Sequence, residues 1–240
     1  MISRRAALAA LGGGVFAIRA QGERLTLAGL EFEVLRRGSS ARRYLRIHGD
    51  EQTARVALEA HMKSHDGVAF IAAHQERNIR FEGLLLDPNR MFSSEGAERN
   101  LRRLNPGAAN EAIHAALARL ERERPALIEA LLPPAGGLMI ALHNNGSGYS
   151  VHSETPISDR VALTDPEHPH EFLLATDSAD FAKLAASPFN AVLQNAAPRD
   201  DDGSFSRLAA RRKSRYVNIE ARAGNLDGQR RMLEWVEGRL

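Results

Sequence analysis

Cysteine is absent from the 240 residues. That excludes disulfides, a thiolate metal ligand, a cysteine nucleophile and a lipid anchor on cysteine. Aromatic residues are scarce, at 5% with a single Trp, so neither a ring-built core nor a sugar-stacking surface is expected. An excess of one charge is also missing, since 32 Lys and Arg face 30 Asp and Glu for a net +2. Nothing in that balance points to nucleic acid. Long apolar runs are missing as well: the one candidate, Ala6 to Ala17, is too short for a comfortable membrane span.

That run has a specific context. Ser3-Arg4-Arg5 precedes it, and Ala20 ends it just before Gln21-Gly22-Glu23. The pattern is that of a twin-arginine export signal over residues 1–20, cleaved near Ala20. Gly12, Gly13 and Gly14 in a row make a poor helix for a mature domain. The expected location is therefore periplasmic or secreted, with no stable membrane span after signal removal. Residues 1–20 hold Arg4, Arg5 and Arg19 and no acid, so without them the formal charge moves from +2 to −1. Arg102-Arg103 and Arg211-Arg212-Lys213 then read as solvated helix faces. Residues 21–240 are long enough for a good core and read as one domain. Their 43% hydrophobic and 26% charged content over the whole chain is globular.

Along the chain, apolar runs alternate with helical patterns. Strands are expected at Leu25–Leu35, at Arg43–Ile47, at Val68–Ala73, at Arg80–Leu86, at Leu138–Leu142, at Glu171–Ala175, at Ala191–Gln194 and at Arg215–Ala221. Helices are expected from Glu51 to Ser64 with Asp50 as N-cap, from Pro106 to Leu132 with a break or kink at Pro125, from Ala179 to Ala186, and from Asn225 to Leu240. This alternation predicts an α/β fold, with a mixed, mostly parallel central sheet and helices on both faces. Sites in such sheets form beyond the carboxyl ends of the strands.

His48, His143 and Glu220 each fall at or near such a strand end. His48 leaves one strand, and Glu51, three residues on, begins a helix, so a strand-to-helix turn can aim both at one point. His143 arrives on another strand and offers a third ligand. Two imidazoles and one carboxylate leave a tetrahedral Zn2+ with one open position, and a free carboxylate nearby can take a proton from water there. Glu220 is the candidate for that base. Tyr216, Asn218 and Glu220 alternate with Val217, Ile219 and Ala221, so the three polar side chains share a strand face.

The order of these segments resembles the zinc carboxypeptidase superfamily, including its deacylase branch related to aspartoacylase and succinylglutamate desuccinylase. Those families carry a zinc-binding His-x-x-Glu after a strand, an Asp-x-Asn-Arg segment, a strand ending in the second zinc His, and a catalytic Glu on a late strand. The matching positions are His48 and Glu51, then Asp87, Asn89 and Arg90, then His143, then Glu220. The resemblance spans roughly residues 43 to 221. It implies one zinc ion on His48, Glu51 and His143, with Glu220 as general base. Asn89 and Arg90 would clamp a substrate carboxylate, because a guanidinium fork matches a carboxylate bidentately. Arg80 is the candidate for polarising the scissile carbonyl, with Arg77 competing for the role. The function implied is a hydrolase that cleaves an amide of a peptide or N-acyl amino acid near a free carboxylate.

One departure stands out. Ala141 lies where relatives commonly place an Asp before the Leu-His pair, so the usual supporting carboxylate of His143 is either missing or replaced. Two rival functions follow: a carboxypeptidase-like binding domain without turnover, for which Ala141 is the support, and a zinc esterase acting on an acylated sugar. Of the remaining histidines, His61 and His65 are four apart without the Glu of a metalloprotease helix and read as a surface pair. His168 and His170 flank Pro169 and are candidates for the border of the site. Gly146-Ser147-Gly148-Tyr149 reads equally as a substrate loop or a surface turn.

Overall fold

Ala28 and Gly29 both adopt positive φ, +48° and +76°, which is the two-residue turn that matches the twist of paired strands. They convert the expected single strand over Leu25–Leu35 into a hairpin, with Leu27 paired to Leu30. Glu82 and Gly83, at +50° and +79°, do the same for Arg80–Leu86, pairing Phe81 with Leu84. In both cases the turn pair is short enough to hide inside an apolar run.

The computed structural model describes residues 23–196 and 200–240. The expected export signal lies outside these residues. The chain runs β1 (Glu23–Leu27), β2 (Leu30–Arg37), β3 (Arg43–Arg46), α1 (Gln52–His61), β4 (Gly67–Ala72), β5 (Ile79–Phe81) and β6 (Leu84–Leu86). It continues through α2 (Ser94–Leu104), α3 (Asn110–Leu131), β7 (Met139–Asn145), α4 (Val151–Glu154), β8 (Arg160–Ala162) and β9 (Phe172–Ala175). The last elements are α5 (Ser178–Leu184), β10 (Asn190–Leu193), α6 (Phe205–Arg212), β11 (Tyr216–Arg222) and α7 (Leu226–Arg239). Among the described residues no helix is long and apolar enough to cross a membrane.

Nine strands form one mixed sheet in the order β1-β2-β4-β3-β7-β11-β9-β10-β8. Its centre, β4-β3-β7-β11, is parallel, and antiparallel pairs lie to either side. The central strands are buried along nearly their whole length, as strands covered on both faces must be. One face packs against α2, α3 and α6 through residues such as Leu101, Leu120 and Phe205. The other packs against α1, α5 and α7 through Leu58, Phe181 and Leu233. This is the α/β layering that the alternation predicts.

Three local expectations change. Pro125 does not break α3, which runs from Asn110 to Leu131. Glu121, whose carbonyl loses its i+4 donor, is exposed on the same outer face as Pro125, so water satisfies it. Asp50 does not cap α1. Glu51 holds the N-cap position without a capping hydrogen bond, because its carboxylate is turned to two imidazoles instead. His61 is buried, with 7% exposure, and stacks on His65 at 3.8 Å.

His61 belongs to a network that ties α7 to β3. Glu237 lies 2.9 Å from Arg42 and 3.6 Å from His61 and accepts the Tyr44 hydroxyl at 3.1 Å. Burial alone would push the Glu237 carboxyl up. His61, Arg42 and Tyr44 together outweigh it and hold the carboxyl below its ordinary value. A depressed carboxyl contributes stability above its unfolded pKa and loses it as pH falls through the folded one. The stability gap between the wild type and Glu237→Gln is therefore expected to be full at neutral pH and to close as pH drops below about 4.5. Urea melts from pH 7 to pH 3 measure it, and a gap independent of pH would refute it.

Candidate metal centre

The sheet register decides the site. β3 runs between β4 and β7 and ends at Arg46, so Ile47 is buried and His48 emerges beyond the carboxyl edge. Gly49 must follow, since a Cβ there would lie 2.3 Å from the His74 carbonyl oxygen and 2.5 Å from that of Glu76. The Gly49 amide donates to the Glu76 carbonyl at 3.0 Å. Arg46 lies beneath this turn with 0% exposure. Its guanidinium donates to the carbonyls of Ala72 at 2.8 Å and Glu51 at 3.4 Å, and to that of Gly49. One buried cation thus pins both ends of the ligand turn.

β7 supplies the facing ligand. Asn144, next to His143, accepts the amide of Ala54 in α1 at 2.8 Å and donates to Gln229 of α7 at 2.9 Å. Gln229 in turn donates to the His143 carbonyl at 3.0 Å. These bonds hold the first turn of α1, and with it Glu51, against the end of β7.

The result is three buried donors aimed at one spot. His48 Nδ1 lies 2.9 Å from Glu51 Oε1 and 3.2 Å from His143 Nδ1. His143 Nδ1 lies 3.4 Å from Glu51 Oε1 and 3.1 Å from Oε2. Tetrahedral ligands at zinc distances stand about 3.4 Å apart, so the set matches such a site closely. It is a His-Glu-His group that could hold a metal ion. Glu51 Oε2 is buried and makes no hydrogen bond of good geometry despite that 3.1 Å approach. His48 stands between two carboxylates, Glu51 at Nδ1 and Asp87 at Nε2. Burial lowers its pKa, but the carboxylates of Glu51 and Asp87 outweigh burial and lift it to about 9.

Tautomers follow from the partners. Asp87 Oδ1, 2.8 Å from His48 Nε2, can only accept, so Nε2 carries the hydrogen and Nδ1 presents its lone pair. His143 Nε2 is buried with no partner among the described residues. The supporting carboxylate that Ala141 cannot supply is not replaced by another acid within hydrogen-bond reach.

Glu220 pairs with His143 in the register of β11 and β7 and is 5% exposed. Burial pushes its carboxyl above the ordinary value, against the pull of His143, Asn218 and Asn145. Asn89 and Arg90 sit on a 3-10 turn at Pro88–Arg90 that is capped by Asp87, whose carboxylate also accepts the Asn89 amide at 2.8 Å. Asn89 Oδ1 accepts the Phe205 amide at the start of α6 at 3.0 Å. Arg90 lies 3.6 Å from Asp202. Asn89, Arg90, the three donors and Glu220 all line one cavity of about 410 Å³.

Arg80 is not in it. It lies exposed on the small hairpin β5–β6 and lines a separate depression. Arg77 takes the place beside the donors: its guanidinium donates to Glu51 Oε1 at 3.2 Å and lies 3.9 Å from Asp87. Ile79 and Phe81 are buried on either side of Arg80, so the strand alternation turns Arg80 to the other face. Other lining residues had weaker signals. Asn145 follows His143 by two and shares its face. Tyr149 lies on the Gly146–Ser150 loop, with its hydroxyl 2.6 Å from Glu154. Arg207 of α6, 8% exposed, had no signal at all. His170 borders the site through Asn145 and the Tyr149 carbonyl, and His168 is exposed beside Asp165.

Removing the Arg46 guanidinium takes the side-chain donor from the buried Ala72 carbonyl, and leaves the Gly49 and Glu51 carbonyls with only Gln52 Nε2 and the Arg55 amide. Arg46→Met is expected to cost about 2–4 kcal/mol of stability and roughly tenfold in zinc affinity. Chemical denaturation and chelator competition measure the two, and unchanged zinc affinity would show that the turn holds without it.

No protein-family model and no curated protein matches the chain. Among solved structures it is similar to the ectoine utilization protein EutE from Ruegeria pomeroyi (18% identity, TM-score 0.46, 86% of this chain and 59% of that one). It is likewise similar to a succinylglutamate desuccinylase from a Silicibacter species (15%, TM-score 0.46, 86% and 59%). A third is a succinylglutamate desuccinylase/aspartoacylase from Rhodobacter sphaeroides (14%, TM-score 0.41, 86% and 57%). The chain spans under two thirds of each of these structures. At this distance the likeness carries no weight for the chemistry, which rests on the chain's own side chains.

Proposed function

We propose that the protein is a zinc-dependent hydrolase that cleaves an amide bond of a peptide or N-acyl amino acid close to a free carboxylate. The observation that carries this reading is the convergence of His48 Nδ1, His143 Nδ1 and the Glu51 carboxylate within 3.4 Å of one another, with a buried fourth acid, Glu220, beside them. His48, Glu51 and His143 would hold the ion. Zinc at such a centre supplies Lewis acidity that makes water a nucleophile near neutral pH.

The chain's own groups do the rest. A Glu220 oxygen takes a proton from the attacking water and delivers it to the leaving nitrogen, so a C–O bond forms as the C–N bond breaks. A carboxyl pushed up by burial is suited to both halves of that transfer. Arg90 receives the substrate carboxylate, with the Asn89 amide alongside. Arg77, in place of Arg80, is positioned to polarise the scissile carbonyl. With Arg4-Arg5 ahead of the Ala6 to Ala17 run, we place this activity outside the cytoplasm, in the periplasm or secreted. The carboxylate clamp favours peptides and N-acyl amino acids over an acylated sugar, which would offer Arg90 no substrate carboxylate.

Three outcomes are expected. Purified protein carries one zinc per chain, and His143→Ala loses it, as measured by elemental analysis. Glu220→Gln retains the metal but lowers kcat by roughly 10²- to 10⁴-fold on a panel of carboxyl-terminal peptides and N-acyl amino acids. Arg90→Met raises KM by about 10- to 100-fold for substrates with the carboxylate and leaves their amidated forms unaffected. Full turnover by Glu220→Gln would remove the base, and an unchanged KM in Arg90→Met would remove the clamp.

A further inference from the structure

Two buried amides are spent on one carboxylate. Asn218 Nδ2 donates to Glu220 Oε1 at 3.0 Å, and Asn145 Nδ2 donates to Glu220 Oε2 at 3.2 Å. Both Asn are 7% exposed, and each sits on a central strand of the sheet. Asn218 precedes Glu220 by two on β11, and Asn145 follows His143 by two on β7. Asn145 is itself anchored. Its Nδ2 also donates to the His170 carbonyl at 2.8 Å, and its Oδ1 lies 3.1 Å from His170 Nδ1, which in turn lies 2.8 Å from the Tyr149 carbonyl.

The need for such restraint is electrostatic. Glu220 is the register partner of His143, and neighbouring strands stand only about 4.8 Å apart. A buried anion this close to a divalent cation is drawn to it strongly, because little water screens the attraction. A Glu220 that moved onto the ion would fill the one position left open by two imidazoles and a carboxylate. A carboxylate with each oxygen held by a fixed amide cannot make that move without breaking both bonds in a buried place.

We infer that Asn145 and Asn218 are positioning residues that hold Glu220 off the metal, so that it remains a base and the fourth coordination position stays open. The inference rests on the zinc-hydrolase reading above. It assigns to the two amides a role that neither metal binding nor substrate binding accounts for.

Cobalt(II) titrated into the metal-free full-length protein, against a competing chelator and by visible absorption, tests it without reference to turnover. In the wild-type background, Glu220→Ala is expected to weaken cobalt binding only through the loss of a nearby charge and to leave the visible spectrum unchanged, because Glu220 is not a ligand. In an Asn145→Leu/Asn218→Leu background the released carboxylate joins the ion. There, affinity is expected to exceed the wild type by about tenfold or more, with an altered spectrum, and adding Glu220→Ala is expected to reverse both. Asn218→Ala alone cuts a single bond and leaves Asn145 anchored, so it gives the same sign with a smaller size if the double variant does not fold. A Glu220→Ala effect equal in all backgrounds overturns the inference while the site stands. A visible spectrum altered by Glu220→Ala in the wild type also overturns it, since Glu220 would then be a native ligand. Failure of the wild type to bind cobalt, or equal binding by His143→Ala, overturns the zinc reading and this inference with it.

Discussion

Two imidazoles and a carboxylate that face one another a hydrogen bond's length apart in a dry pocket need a hydrogen or a cation between them. Everything around His48, Glu51 and His143 follows from that constraint. The two imidazoles meet Glu51 within 3.4 Å, and all three are at least 95% buried. Water cannot screen the crowding, so a bound cation is the simplest way to satisfy it. The outer contacts agree. Asp87 fixes the hydrogen of His48 on the far nitrogen, and Arg77 covers the outer side of Glu51 and Asp87.

Holding that arrangement takes work elsewhere in the molecule. Arg46 gathers the ligand turn from below, and Gly49 lets the 74–76 segment close over it. Asn144 and Gln229 lock α1 and α7 to the end of β7. The substrate side is linked to the metal side through single atoms. Asp87 Oδ1 touches both His48 and the Asn89 amide, while Asn89 Oδ1 receives the start of α6. Asp87 and Asn89 thus join the His-Glu-His cluster to the turn that carries Arg90.

Much of this was legible in the chain. The continuous apolar strands and the amphipathic helices told the layers apart, because burial on two faces and on one face leave different patterns. His48, Glu51, His143 and Glu220 stood out since strand ends are where such sheets place chemistry. Turns were harder. Ala28-Gly29 and Glu82-Gly83 reverse the chain within apolar runs, and Ala28 and Glu82 have side chains that seldom adopt positive φ. Arg80 was a candidate by its place upstream of Asn89 and Arg90, and lies exposed between buried Ile79 and Phe81. Asp50 looked like a cap by type, and lost the position to Glu51 because the carboxylate of Glu51 is held by the two histidines.

What the amino-acid order determined alone is the inventory and the alternation: which strands are covered twice, which residues bear chemistry, and that no thiol takes part. What only the tertiary structure decided is proximity. His48 and His143 are 95 positions apart, yet they meet because β3 and β7 pair in one register. Glu220 stands beside His143 because β11 pairs with β7. A residue's type is local information, but a distance between strands depends on the packing of every layer at once. For that reason the unpartnered His143 nitrogen, the buried Arg46 and the paired amides on Glu220 came into view only when the sheet was assembled.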